Sequence, residues 1–233
     1  VGLALTLAYP NLPDTSSLAD YRPKLPLRVL ASDGTLIGEF GEERRTYVPI
    51  EQIPQVMKQA VLAIEDANFY NHGGVDFKGV LRASLAQFAE AKSQGASTIT
   101  MQLARNFYLS SEKTFTRKIY EILLAFKIEA LLTKDQILEV YMNQIFLGHR
   151  AYGFGAASEV YFGKPLKDIS VAQAAMLAGL PKAPSAYNPL NNPRRATVRQ
   201  RYIIERMLDN GFITQAQRDA ALKEVMRYRA PSE

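Results

Sequence analysis

Two adjacent acids, Glu65 and Asp66, stand in a stretch that is otherwise apolar. They follow the run Ala60–Ile64, and a helix continued through this segment would place Glu65, Phe69 and His72 on one face. A carboxylate in the wall of a cleft is partly desolvated, which makes it a better general base. The alternative is a half-buried helix whose acids find salt-bridge partners. Glu65 is therefore a candidate catalytic base.

The segment Gly95–Asn106 has the composition of an anion-binding site. Ser97, Thr98, Gln102 and Arg105 follow a glycine within a few residues of one another. If a helix begins near Ser97, its free N–H groups, the hydroxyls and Arg105 would face one anion, such as a phosphate or a pyrophosphate. The alternative is a Ser-capped amphipathic helix with polar outer residues.

A third cluster consists of Arg117, Lys118 and Glu121. On a helix, Arg117 and Glu121 are neighbours on one face. As a surface ion pair they would contribute little to stability. As a functional cluster, the two cations would lie against a phosphate, and Glu121 would hold an arginine or coordinate a divalent cation.

Glu139 and Asn143 are four residues apart in a predicted helix that ends before Gly148. This spacing places them on one face, where they can satisfy buried backbone groups at a helix junction. We predict a structural rather than a catalytic duty for both.

The elements that must position these residues are mainly helical. One β hairpin is predicted in Leu27–Ile50, where two apolar runs flank Asp33-Gly34. From Glu51 onward the apolar residues follow a helical period, and Pro54 suits the first turn of the helix that carries Glu65. Capping boxes mark three further helix starts: Thr133 with Gln136, Ser170 with Gln173, and Thr214 with Gln217.

Asp76 is a candidate cap for another helix. The residues Phe77, Leu81, Leu85 and Phe88 form an amphipathic stripe along it. The predicted architecture is therefore mainly α, with a minor β hairpin.

Composition narrows the classes of function. The chain has 233 residues, with 47% hydrophobic and 22% charged residues, which is ordinary for a globular protein. Its net charge of +5 favours an anionic partner such as nucleic acid, membrane headgroups or a phosphate-bearing substrate. The absence of Cys excludes disulfides and thiolate metal sites, and two His are too few for a His-rich metal site.

Five stretches, taken in order, carry a resemblance to a known family. They are Glu65-Asp66-x-x-Phe69-x-x-His72-x-Gly74, Gly95-x-Ser97-Thr98-Ile99-Thr100-x-Gln102-Leu103, Arg117-Lys118-x-x-Glu121, Lys134-x-x-Ile137-Leu138-Glu139-x-Tyr141-x-Asn143, and Ala178-Gly179-Leu180-Pro181-x-Ala183-Pro184. With this spacing, the chain resembles the peptidoglycan glycosyltransferase module of bifunctional class A penicillin-binding proteins. The resemblance runs from about Leu27 to Asn210.

The resemblance implies a mainly α, lysozyme-like fold with a small N-terminal β hairpin and a membrane-facing jaw subdomain. It implies polymerisation of lipid II into glycan strands at the outer, periplasmic face of the bacterial cytoplasmic membrane, and inhibition by moenomycin. The expected organisation is the tail of a transmembrane anchor in 1–8, a linker in 9–26, the hairpin in 27–50, the glycosyltransferase domain in 51–215 and a helical C-terminal extension in 216–233. A C-terminal transpeptidase domain is expected in the full-length protein.

The resemblance also implies roles for individual residues. Glu65 falls on the family's catalytic base, and Glu121 is expected to be a second catalytic acid and a ligand for a divalent cation such as Mg²⁺. Contacts with the substrate, including its pyrophosphate, fall on Asp66, Phe69, His72, Ser97, Thr98, Gln102, Arg105, Arg117 and Lys118. No organic cofactor is expected.

Two positions depart from the family pattern. Met101 stands where a second Gln is more common, which removes a polar group and puts that contact in question. Arg105 stands where Lys is frequent, which keeps the charge but changes its geometry.

Three other functions compete with this one. A lytic glycosidase of lysozyme-like fold would need a protonated acid paired with a second carboxylate, whereas Glu121 lies among Arg117 and Lys118. A nucleic-acid-binding module is disfavoured because the basic residues are dispersed and no nucleic-acid motif appears. A membrane scaffold without activity would tolerate the loss of Glu65.

Overall fold

The computed structural model describes residues 27–30, 36–40, 44–88, 97–108 and 115–229. They are mainly helical, as the sequence predicts. The described strands are β1 (Leu27–Leu30), β2 (Leu36–Phe40), β3 (Arg44–Arg45) and β4 (Ala151–Tyr152). The described α-helices are α1 (Gln55–Glu65), α2 (Phe77–Phe88), α3 (Ile99–Tyr108), α4 (Phe115–Leu131), α5 (Lys134–Gln144), α6 (Phe154–Phe162), α7 (Val171–Ala178), α8 (Pro193–Asp209) and α9 (Gln215–Lys223).

The strands form two small sheets. β1 pairs antiparallel with β2, with Leu27 opposite Phe40, and the predicted turn at Asp33-Gly34 lies outside the described residues. β3 pairs in parallel with β4, a contact between distant segments that no local sequence pattern predicts. The predicted anchor tail in 1–8 and the linker in 9–26 also lie outside the described residues.

The helix starts follow their local sequence signals. α1 begins directly after Pro54, and the backbone N–H of Gly79 donates to the Asp76 carboxylate at the start of α2. The three capping boxes are confirmed, with reciprocal side-chain bonds between Thr133 and Gln136, Ser170 and Gln173, and Thr214 and Gln217. Each such box satisfies two helix N–H groups that would otherwise have no partner.

The stripe on α2 does not point into the core. Phe77 is 70% exposed and Leu81 is 63% exposed, and Val80 beside them is also exposed. The side chains of Leu85 and Phe88 lie outside the described part of the chain. Three large apolar side chains on one exposed helix face form a patch of the kind that marks an interaction surface.

The chain divides into two compact units, one containing residues 65–141 and the other residues 22–64 and 142–233. In the first unit, fully buried apolar side chains from α3, α4 and α5 form the core. Among them are Leu103, Leu124, Ile128, Ile137 and Leu138. All the candidate site residues named above lie in this first unit.

In the second unit, two side chains form hydrogen bonds to the backbone of distant residues. The Asn143 amide clamps the backbone of Val48, accepting from its N–H at 2.8 Å and donating to its carbonyl at 2.9 Å. This confirms the structural duty predicted for Asn143. The buried Tyr161 hydroxyl donates to the Leu147 carbonyl at 2.7 Å and accepts from the Asn188 amide at 2.9 Å.

The turn before β4 requires an unusual backbone. Gly148, His149 and Arg150 have φ values of 79°, 44° and 60°, so three successive residues are left-handed. A Cβ at position 148 would also stand 2.8 Å from the Tyr161 hydroxyl, which leaves glycine as the residue that fits.

The predicted helical extension over 216–233 is too long. α9 ends at Lys223, and residues 224–229 are not helical. Among the described residues, none of the helices combines the length and apolar character that spanning a bilayer would take.

Replacing the clamp tests its contribution to stability. Asn143→Ala removes both bonds to Val48 and should lower the free energy of unfolding by about 2 kcal/mol, measured by urea denaturation. Asn191→Ala, at an exposed side chain, is the control and should change it by less than about 0.5 kcal/mol. Equal, small effects of both variants would contradict the role given to the clamp.

Candidate functional site

Glu65 is the last residue of α1, and its carboxylate is held by a helix distant in sequence. The side-chain amide of Gln102, on α3, donates to Glu65 Oε2 at 2.9 Å. Glu65 as a residue is neither fully buried nor fully exposed, and its other carboxylate oxygen, Oε1, is buried. The predicted candidate base therefore has a defined hydrogen-bond partner on the second predicted motif.

The predicted helical face with Glu65, Phe69 and His72 is wrong. α1 ends at Glu65, and Phe69 lies in a separate turn of 3-10 helix, Phe69–Asn71. The helix ends because Asp66 is engaged elsewhere in this unit. Asp66 Oδ2 lies 2.7 Å from His72 Nε2 and accepts from the backbone N–H of Ile99 at 3.1 Å.

The hydrogen bonds around His72 indicate its tautomer. The backbone N–H of Gly74 donates to His72 Nδ1 at 3.0 Å, so Nδ1 is the acceptor. The proton is then on Nε2, which donates to Asp66. Asp66 and His72 are both largely buried, with 3% and 6% of their side chains exposed. They fix the segment after Glu65, and neither faces solvent as a substrate contact would.

Phe69 is a core residue, which corrects its predicted contact with substrate. Its side chain is fully buried, with Lys134 Nζ 4.5 Å above the ring and the Tyr70 ring edge-on at 5.2 Å between centroids. The ring offers no surface to a ligand. Its position in the motif reflects packing against α5 rather than recognition.

The start of α3 is not the open anion site that the sequence predicts. Thr98, rather than Ser97, caps the helix: its buried hydroxyl accepts from the Met101 N–H at 3.2 Å and donates to the Gly74 carbonyl at 2.6 Å. The Ile99 N–H is taken by Asp66. A carboxylate of the protein thus occupies the helix N-terminus, where the dipole favours negative charge.

The cations and polar side chains of the next two motifs form one cluster. Arg105 Nε donates to Glu121 Oε1, and Lys118 Nζ lies 3.3 Å from Glu121 Oε2. Ser97 joins them, since its hydroxyl accepts from Lys118 Nζ at 2.7 Å and lies 3.5 Å from Arg105 Nη2. Glu121 is buried with 1% of its side chain exposed, whereas 37% of the Arg105 and 44% of the Lys118 side chain are exposed.

The cluster keeps an excess of positive charge. Arg105 and Lys118 contribute two positive charges and Glu121 one negative charge, which leaves a net charge of +1. Arg117 adjoins Lys118 on α4 and is partly exposed. The buried acid orients two cations whose other sides face solvent, and such a surface suits an anionic group.

α3 joins the two acids. Gln102 contacts Glu65, and Arg105, three residues further along the same helix, contacts Glu121. Residues three apart lie on one helix face with Cβ atoms about 5–6 Å apart. The candidate base and the cation cluster are therefore both attached to one turn of α3.

Met101, the departure from the family pattern, does not affect this face. Its side chain is buried against Val75 and Ala125 in the core of the first unit. A polar side chain at this position would enter that core and not the cation cluster. The side chain at position 101 therefore belongs to the core and not to the cation cluster.

The residues around Glu121 do not fit a divalent cation. The carboxylate lies against Arg105 and Lys118, whose charges oppose a metal ion. The described residues contain no group of three or more His, Cys, Asp or Glu side chains that could bind one. Magnesium needs several oxygen ligands, and we derive no step through it.

One residue of the site was missed as a functional candidate. Tyr141, on α5, is fully buried, and its hydroxyl donates to Gln102 Oε1 at 3.3 Å. Burial, together with the negative charges of Glu65 and Asp66, raises the pKa of Tyr141 well above its ordinary value. In the sequence it stands in a helical motif assigned to structure, and no local pattern relates it to Glu65.

Comparison with known proteins shows the family of the chain. A sequence model of the transglycosylase family matches residues 33–208. The chain belongs to the transglycosylase family, and the resemblance found in the sequence is confirmed.

The individual matches are to penicillin-binding protein 1A of several bacteria. The chain is 56% identical to penicillin-binding protein 1A of Neisseria flavescens over 98% of this chain and 29% of that protein. It is 52% identical to penicillin-binding protein 1A of Escherichia coli (strain K12), over 95% of this chain and 26% of that protein. The crystal structure of penicillin-binding protein 1A from Haemophilus influenzae matches 91% of this chain and 22% of that chain, with a TM-score of 0.53 and 29% identity. The chain thus spans less than a third of the length of these relatives.

Two variants of Asp66 should separate its charge from its geometry. A single oxygen, Oδ2, accepts from both His72 and Ile99. Asp66→Asn can keep both bonds through its one carbonyl oxygen and should lower the free energy of unfolding by roughly 1 kcal/mol, whereas Asp66→Ala should lower it by roughly 3 kcal/mol. Urea denaturation measures both. Equal losses would show that the negative charge, not the oxygen's position, holds the segment.

Removing divalent cations tests the conclusion about Glu121. Because Glu121 already pairs with two cations, chelation by EDTA should leave the free energy of unfolding unchanged. Thermal unfolding with EDTA and with added Mg²⁺ makes the comparison. Stabilisation by Mg²⁺ that disappears in Glu121→Gln would contradict it.

Proposed function

We propose that the chain polymerises lipid II into β-1,4-linked glycan strands of peptidoglycan, with undecaprenyl pyrophosphate as the leaving group. One observation carries the proposal: one turn of α3 binds both the Glu65 carboxylate and the cation cluster around Glu121. A base and a positively charged surface that are held by one helix turn suit a reaction that deprotonates a hydroxyl and releases a diphosphate. Membership of the transglycosylase family supports the same chemistry.

Glu65 is the general base of the proposed reaction. It takes the proton of the acceptor's GlcNAc 4-hydroxyl while that oxygen attacks the anomeric carbon of the donor's MurNAc. The new C–O bond forms as the bond from that carbon to the diphosphate oxygen breaks, with inversion from the α-linked donor to a β bond. The hydrogen bond from Gln102 orients the carboxylate for this step.

The leaving diphosphate is assigned to Arg105, Lys118, Ser97 and Arg117. Arg105 and Lys118 each have more than a third of the side chain exposed, although one side of each is held by Glu121. Pre-oriented cations stabilise developing negative charge without reorganising during the reaction. Glu121 acts in this scheme by holding the cations and does not touch the reacting atoms.

The rival enzyme, a lytic glycosidase, is less well supported. Such an enzyme expels a sugar alkoxide and needs a second carboxyl group that can donate a proton. Glu121, on α4, is the second acid that α3 contacts, but it is buried and accepts from Arg105. It is an ion-pair partner rather than a proton donor.

The cellular setting belongs to the same proposal. We infer a lysozyme-like fold whose jaw faces the membrane, a location at the periplasmic face of the cytoplasmic membrane, a transmembrane anchor tail in 1–8 and a transpeptidase domain in the full-length protein. The exposed apolar side chains Phe77, Val80 and Leu81 suit a lipid surface. Lipid II, the nascent strand and moenomycin-type inhibitors are the proposed ligands. Mg²⁺ remains a proposed cofactor without assigned protein ligands.

Loss of the base tests the proposed function. Glu65→Gln can still accept the bond from Gln102, so its fold should be retained, while polymerisation should fall by roughly a thousandfold because no base remains. Labelled lipid II with a gel readout for polymer measures the activity, and circular dichroism checks the fold.

The control is Glu51→Gln, at an exposed position outside the site, which should polymerise like the parent chain. Near-normal polymerisation by a folded Glu65→Gln variant would contradict the assignment. Release of soluble muropeptides from purified sacculi by the parent chain, without lipid II elongation, would favour the glycosidase.

A further inference from the structure

The base is attached to a buried tyrosine through one intervening amide. Tyr141 Oη donates to Gln102 Oε1 at 3.3 Å, and Gln102 Nε2 donates to Glu65 Oε2 at 2.9 Å. The three side chains come from α5, α3 and the end of α1, and all three lie in the unit of residues 65–141. They form a directed chain of hydrogen bonds that ends on the carboxylate.

The direction of this series of hydrogen bonds is set by the carboxylate. A primary amide can present either its oxygen or its nitrogen to a neighbour, and a carboxylate accepts only the nitrogen side. The Tyr141 hydroxyl donates to the oxygen of Gln102, which leaves the NH₂ group facing Glu65. Both contacts therefore favour the same orientation of the amide.

The phenol stays a donor because it stays protonated. Tyr141 is fully buried, and the charged groups that act on it are the carboxylates of Glu65 and Asp66. Asp66 is itself paired with His72. Burial and these two negative charges raise the pKa of Tyr141 well above its ordinary value, so the O–H persists across the neutral range.

We propose that Tyr141 is a positioning residue for the reaction: its hydroxyl fixes the Gln102 amide, and that amide holds and orients the Glu65 carboxylate. The inference rests on the proposed function, in which Glu65 is the base. It assigns Gln102 to the base and not to the substrate's pyrophosphate, which changes the role predicted from the sequence.

Removing the hydroxyl should affect the chemical step more than substrate binding. Without the Tyr141 donor, the Gln102 amide can rotate, and Glu65 loses part of a hydrogen bond that favours its ionised form. Tyr141→Phe should therefore lower kcat by roughly tenfold, the effect of one net hydrogen bond, with little change in KM. The acid limb of the kcat/KM profile should move to higher pH by roughly half a unit or more, because the pKa of the base rises.

A matched control separates this role from loss of a buried hydrogen bond in general. Tyr161 is also a fully buried tyrosine whose hydroxyl has two partners, but it belongs to the other unit and its hydroxyl bonds to Leu147 and Asn188. Tyr161→Phe should reduce stability and leave the pH profile where it is. Gln102→Met, which keeps the side-chain length and removes the amide, should shift the acid limb in the same direction as Tyr141→Phe.

The experiment measures lipid II elongation against pH for the parent chain, Tyr141→Phe, Tyr161→Phe, Gln102→Met and the Tyr141→Phe/Gln102→Met double variant. We expect the acid limb to shift in Tyr141→Phe and in Gln102→Met and to stay in place in Tyr161→Phe. The double variant should shift no further than Gln102→Met, because both changes interrupt the same series of hydrogen bonds. If Tyr141→Phe does not fold, an unshifted profile in Gln102→Met overturns the inference.

Other outcomes also decide the question. The positioning role of Tyr141 would be overturned by any of three results: a Tyr141→Phe profile that superimposes on the parent's, an equal shift in Tyr161→Phe, or additive shifts in the double variant. A parent chain that does not elongate lipid II would overturn the proposed function itself. An active parent chain with an unmoved Tyr141→Phe profile overturns the positioning role alone.

Discussion

The attachment of α3 to two carboxylates is the constraint on which the site depends. Through Gln102 the helix binds Glu65, and through Arg105, one turn later, it binds the buried Glu121. The helix backbone fixes the separation of positions 102 and 105, and their two side chains contact the proposed base and the buried acid of the cation cluster. Loss of either contact would release one functional group relative to the other.

The residues that surround this helix mostly serve to place it. Asp66 takes the Ile99 N–H at its start, Thr98 caps it, and Tyr141 supports the amide in its middle. Several side chains that a motif comparison assigns to substrate are therefore structural, since Asp66, Phe69 and Thr98 are buried. Arg105 and Lys118 keep exposed surface, and the proposed contact with the diphosphate falls on them.

Features that depend on neighbouring residues were predictable from the sequence. The start of α1 after Pro54, the Asp76 cap and the three capping boxes need only a few adjacent side chains, and they were correct. The assumed helical face beyond Glu65 was wrong because Asp66 bonds to a residue far along the chain. The β3–β4 pair and the contact of Tyr141 with Gln102 were missed for the same reason, since no local periodicity encodes a partner that is distant in the sequence.

The most direct test of the central claim is to measure, by calorimetry, the affinity for a short-chain polyprenyl diphosphate. This affinity distinguishes the role of Gln102, which contacts Glu65, from that of Arg105, which contacts Glu121. Glu65→Gln should bind the diphosphate as the parent chain does, since the base does not hold it. Arg105→Ala should bind it at least roughly tenfold more weakly, because it removes a pre-oriented cation. Unchanged affinity in Arg105→Ala, or an equal loss in Glu65→Gln, would contradict the assignment of Gln102 to the base and of Arg105 to the diphosphate.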